Sequence, residues 1–216
     1  MDLRELLPQP PRKGDDLIAE DKTLYRMNAI MMPHRGDSAY REGYRRAARI
    51  LTRYVADHGE AHYLVYPICH SYRHFVELAF KQLIPLGCRI AHRKMTESEA
   101  KLQSGTHDLW RLWAAFVAIE TEVVREREHE PRPLEDIQGI EAYIKQLDKL
   151  DHGSYDFRYP VTTKGEFTLM GVDQINVGHF VDCMERLCTY LDGFYTDYIH
   201  LLETDMDSNY DPGDYQ

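Results

Sequence analysis

The sequence predicts an all-α fold: a bundle of about five helices, with a short hairpin or ordered loop before a long final helix. Three observations carry this. Apolar residues recur at intervals of three and four through most of 38–202, the period of a helix face. Capping and stop residues punctuate those runs. One stretch, 155–172, breaks the period, and a segment that long inside a compact domain is often functional. A chain of 216 residues with 43% hydrophobic residues suits a single core with tails.

The elements follow in order. Pro8, Pro10, Pro11 and Gly14 stand among mixed charges, which marks 1–37 as a flexible or loosely docked arm. The helical domain spans 38–203. Ser38 is a suitable N-cap for a first helix that runs to His58, with Gly59 as its stop. Its apolar stripe is Tyr40, Tyr44, Ala47, Leu51 and Val55. Arg41, Arg45, Arg49 and Arg53 recur on a neighbouring face, which reads either as a solvated surface or as a contact for phosphate or an acidic partner.

A second helix over 62–86 buries Ile68, Tyr72, Phe75, Ala79 and Leu83, and tolerates Pro67 near its start. A third begins at Thr106, with Asp108 in its first turn, and buries Leu109, Leu112, Trp113, Phe116 and Ile119. A fourth opens on Pro133 and carries Ile137, Ile140, Ile144, Leu147 and Leu150, with Gly153 just past its end. Thr163-Lys164-Gly165-Glu166 lies between apolar pairs and gives the hairpin or loop. The last helix, 173–202, is lined by Val177, Val181, Met184, Leu187, Leu191, Phe194, Tyr198 and Leu201. Residues 204–216 read as an acidic disordered tail.

Composition narrows the function. The net charge is −10, and half of it lies on the five acids of 203–216, which hold no Lys or Arg. That balance disfavours a general nucleic-acid coat, whose binding comes from neutralising phosphates, though a local basic groove remains compatible with it. No apolar run is long enough to span a membrane, and the first residues lack a signal-peptide pattern. A cytoplasmic protein with no membrane contact is expected. Cys69, Cys88, Cys183 and Cys188 form no CxxC pair and read as reduced, mostly buried thiols. Fifteen Tyr against two Trp point to a core with a wet edge or a subunit contact. P-loop and nucleophile-elbow signatures are absent.

Candidate chemistry concentrates on the second helix. His70, Arg73, His74, Glu77 and Lys81 share one side of it. Arg73–Glu77 and Glu77–Lys81 are spaced for intrahelical ion pairs. The alternative is a polar seam facing other helices, with partners from His107 and Asp108. His70, His74 and Glu77 also have metal-ligand spacing, but Arg73 and Lys81 among them would repel a cation, so neither metal nor cofactor is expected.

The run from Ser71 to Ile84 (SYRHFVELAFKQLI), then Gly105 to Trp110 (GTHDLW), then Phe157 to Pro160 (FRYP) before a long last helix, resembles the HEPN superfamily over about 40–202. The resemblance implies a helical bundle that commonly forms homodimers. It also implies either a metal-independent ribonuclease or a non-catalytic binding module in toxin–antitoxin or phage-defence systems. The ribonucleases carry Arg-x(4–6)-His near the start of a late helix; the Arg stabilises phosphate charge and the His moves protons. Here no His follows Arg158 at that spacing. The formal match, Arg53 to His58, falls at the end of the first helix. The expectation is therefore a HEPN-like module, non-catalytic or weakly catalytic, that binds a ligand, RNA or protein through Arg73, His74, Glu77, Lys81, His107, Asp108 and Arg158. Two alternatives stand beside it: a ribonuclease pairing Arg158 with His107 or His74, and a structural partner protein.

Overall fold

The structure, a computed structural model, describes residues 37–208 and, before them, Lys13, Thr23, Tyr25–Met27 and Ala29. Two compact units divide the chain, Met1–Arg35 and Gly36–Gln216. In the first, Tyr25–Met27 form a 3-10 turn. The arm expected over 1–37 falls almost wholly outside the described residues, as does the far end of the expected tail, 209–216.

The second unit holds six α-helices among the described residues: α1 (Asp37–His58), α2 (Ala61–Ile90), α3 (Glu97–Gly105), α4 (Leu109–Arg127), α5 (Leu134–Leu150) and α6 (Val177–Ser208). Central α2 packs against α1, α4 and α6, while α5 lies on α4. None of these helices is long and apolar enough to cross a membrane.

The core centres on α2, α4 and α6. Phe80, Trp113, Phe116 and Phe194 are buried there, with Phe116 and Phe194 edge to face at 4.9 Å between ring centroids. Each such ring contributes on the order of 1.5–3 kcal/mol through burial. Gly87 lets α4 and α6 approach α2 closely. A Cβ there would collide with Ile119 and stand 3.1 Å from the Tyr198 ring.

Four sequence expectations change. First, there are six helices rather than five. The extra one, α3, starts at a capping box in which Thr96 accepts from the Glu99 amide and the Glu99 carboxylate accepts from the Thr96 amide. Arg93 then ties Glu99 to Glu122 of α4. Second, α2 continues through Pro85 to Ile90. The two prolines inside it each remove one helix hydrogen bond, but packing on three neighbours outweighs that loss. Third, Thr106 ends α3, and Asp108 rather than Thr106 caps α4, accepting from the Arg111 amide at 2.9 Å. Fourth, residues 204–208, assigned by composition to the tail, continue α6. Residues 155–172, expected as a hairpin or ordered loop, are an ordered loop with a single antiparallel bridge, Val161 to Phe167, and no strand.

Helix α1 is also rotated from its expected setting. Arg41, Arg45 and Ala48 are buried, whereas Tyr40 is 63% and Ile50 70% exposed. Helix α6 supplies the reason. Glu185 and Asp192 take Arg45 at 2.7 and 2.5 Å, Asp192 also takes Arg41, and Glu185 takes Arg49 and the Tyr72 hydroxyl. The Arg41 and Arg45 guanidiniums lie over the Phe75 ring, where the cation meets the negative π face. Thus the basic face is an inter-helix ladder in which Arg41 and Arg45 are buried and Arg49 pairs with Glu185 from an exposed position, while Arg46 and Arg53 are exposed as well.

Candidate functional site

The polar side of α2 turns inward. Arg73 and Glu77 are 0% and 1% exposed, and a charge buried that deeply requires partners. Arg73 Nη1 donates to Glu77 Oε2 at 2.8 Å, Nη2 donates to the His107 carbonyl, and Nε donates to the Asp151 carbonyl at 3.0 Å. Asp151 Oδ2 lies 3.3 Å from the same Nε. Glu77 Oε1 receives Lys81 Nζ and faces His107 Nδ1, both at 2.9 Å. A carboxylate only accepts, so the His107 proton belongs on Nδ1 and Nε2 is left toward solvent. Burial pushes the Glu77 carboxyl up, but Lys81, Arg73 and His107 outweigh it and the net shift is down.

The seam also shapes the loop that follows α5. Asp151 is fully buried, and its Oδ1 accepts from the Tyr155 and Asp156 amides at 2.5 and 3.0 Å, which caps the turn at 155–159. Arg73 therefore fixes the start of the segment that carries Arg158.

Of the expected site residues, Arg73, Glu77, Lys81 and His107 meet. The other three do not join them. His74 lies under Tyr44 of α1, ring to ring at 4.4 Å, and burial lowers its pKa to about 4. Asp108 caps α4, with its Oδ2 3.9 Å from His152 Nε2, while His152 Nδ1 faces Asp148 at 2.9 Å. Arg158 is exposed; its Nε donates to the Ser154 carbonyl at 2.5 Å, and its guanidinium lies 5.6 Å from the Tyr159 ring centroid. The ion pairs expected from the spacing at 73, 77 and 81 exist, but they belong to a buried network rather than a solvated face.

The His70, His74 and Glu77 ligand pattern does not close. The two histidine rings stack at 5.7 Å, and Glu77 faces three nitrogen-bearing side chains. Among the described residues, only Asp108, Asp148 and His152 bring three ligand-type atoms within 4.8 Å of one another. Arg53 and His58, the formal ribonuclease match, are both exposed at the end of α1, and His58 bonds back to the Tyr54 carbonyl. Asp151 was missed by sequence reasoning. Its one signal is an Asx residue just past a helix end.

Beside Arg158 lies a cleft of about 980 Å³ between the start of α2 and residues 156–175. Tyr66, Arg158, Tyr159, Phe167, His62 and Asp173 are among the residues that line it. Three of these are large exposed apolar side chains, with Phe167 at 70%. A concave surface with aromatic walls and one guanidinium suits reversible binding.

Fold and site together define an all-α protein with a buried ion network at its centre and an aromatic cleft at its edge. Compared with known proteins, the chain matches no family model, no curated protein and no solved structure.

Proposed function

We propose that this chain is a HEPN-like, non-catalytic helical module. It binds a ligand through the cleft beside Arg158 and acts as a homodimer or as one component of a bacterial defence or toxin-type assembly. The family reading rests on the Glu77–Lys81, His107-Asp108-Leu109 and Arg158-Tyr159-Pro160 series. The non-catalytic reading rests on one observation. Arg73 and Glu77 spend their hydrogen-bonding groups on each other, on Lys81, on Asp151 and on His107. A ribonuclease site needs a cation free to meet a phosphate and an imidazole free to move a proton beside it. Arg158 and His107 have separate partners: Arg158 is held by the Ser154 carbonyl outside the network, and His107 by Glu77 within it.

The test is incubation of the purified full chain with end-labelled single-stranded and hairpin RNA, without added metal. The expected result is no cleavage above a buffer blank. Efficient cleavage that disappears in both Arg158→Ala and His107→Ala would overturn the proposal in favour of the ribonuclease.

A further inference from the structure

We propose that a second cleft, between α4 and the start of α5, binds a small organic ammonium ion with an apolar body, and that Glu120 is its counter-ion. This goes beyond the proposed function and does not rest on it.

The cleft has a volume of about 550 Å³, within the range that takes a small-molecule ligand. Its apolar walls are Phe116, Val117, Val124, Pro133, Leu134 and Ile137, and Glu120, Thr121 and Arg132 also line it. Leu134, at the rim, is 70% exposed. Among these apolar walls stands one carboxylate. Glu120 Oε2 accepts the hydroxyl of buried Tyr198 from the core side. Among the described residues, Glu120 makes no ion pair, and Oε1 takes no hydrogen bond.

The nearest cation is already engaged. Arg132 pairs with Asp197 and lies over the Phe194 and Tyr190 rings, 4.1 and 5.3 Å from their centroids. Arg132 is itself part of the lining, but Asp197, outside the cleft, offsets its charge, so the three groups together leave the negative charge of Glu120, with His129 the other titratable group acting on it. Burial pushes the Glu120 carboxyl up despite the Tyr198 hydrogen bond and the Arg132 charge. A charge held at that desolvation cost is relieved by a cation that brings its own apolar surface. Inorganic cations and polyamines fit poorly, because beside Glu120 the walls offer one side-chain hydroxyl, that of Thr121, which donates to the Val117 carbonyl, and no second carboxylate. A monoamine with an alkyl or aryl body fits both features.

The experiment is calorimetric titration of the full chain with phenethylamine and, separately, with phenethyl alcohol, its neutral isostere. Near neutral pH the amine should bind about ten-fold or more tightly than the alcohol. In Glu120→Gln, which keeps an acceptor for Tyr198, the two ligands should bind within about two-fold of each other. Val117→Phe, which fills the cleft and leaves the carboxylate in place, should abolish binding of both. Equal affinity for amine and alcohol in the unaltered chain overturns the proposal. So does an amine preference that survives Glu120→Gln, amine binding that survives Val117→Phe, or no amine binding at millimolar concentration. Thermal unfolding of each variant establishes that it is folded, and if Glu120→Gln is not, Val117→Phe and the amine–alcohol ratio still decide.

Discussion

Two arginine clusters hold this bundle, and they differ in how they reach their partners. Arg73 sits inside α2 with no exposure and meets Glu77 on its own helix, the His107 carbonyl before α4, and Asp151 after α5. Arg41, Arg45 and Arg49 run along α1 and meet the acids of a single helix, α6, with Glu185 about a quarter exposed. The first cluster joins three elements at a point. The second zips two helices along a line. A buried charge left alone costs several kcal/mol, whereas partly solvated pairs recover water as a substitute. The point cluster should therefore be brittle and the ladder graded.

The largest expected effect is at the point. Arg73→Met removes the cation that pairs with Asp151 and strips Glu77 of one partner. Chemical denaturation should show a loss of about 3–5 kcal/mol. A loss below about 1 kcal/mol would place the seam among dispensable surface pairs. The ladder should give less. Glu185→Gln keeps the shape but removes the charge that serves Arg45, Arg49 and Tyr72, and the expected loss is about 1–3 kcal/mol after allowance for its exposure. If that loss matched or exceeded the one at Arg73, the contrast between point and line would fail.

Acid should separate the two regions by titration. His74, on the α2 side, has its pKa lowered from 6.5 to about 4 by burial. The folded state favours its neutral form, so its contribution is complete above 6.5 and is lost as pH falls toward 4. Glu185 is brought down from 4.5 to about 2; burial opposes this, but the hydrogen bonds from Arg49, Arg45 and Tyr72 outweigh it. Its contribution is complete above 4.5 and is lost as pH falls toward 2. His152 is raised by Asp148, so its contribution is already complete below 6.5 and leaves the acid limb unchanged. Melting temperature followed from neutral pH downward should therefore fall in two stages. His74→Gln should shrink the upper stage, which His70 shares, and Glu185→Gln the lower, which Glu77 and Glu99 share. A single stage, or the reverse assignment, would show that the groups do not titrate as placed.

Much of the helical content was legible because period and punctuation are local. The apolar faces of α2, α4, α5 and α6 were read from spacing, and Arg73, Glu77, Lys81 and His107 were gathered into one seam from spacing and the His-Asp-Leu start. Helix α3 was legible but missed, since Thr96-x-x-Glu99 is a capping box written in the sequence. Asp151 was hardly legible, because an Asx residue after a helix end usually finishes its bonding locally. Here it does that with Oδ1 and turns its carbonyl and Oδ2 toward a residue 78 positions away.

By itself the sequence determined which segments are helical and which faces are apolar, because those depend on residues three and four apart. The tertiary structure decided the sign of two polar faces. The arginines of α1 had every local mark of a wet surface, and they became an interior ladder because α6 brings Glu185 and Asp192 against them. The charges of α2 had the spacing of surface pairs and became a core, because three connections converge on Arg73. An ionised side chain can be buried only where an opposite charge arrives from elsewhere in the fold, and no local spacing records that arrival.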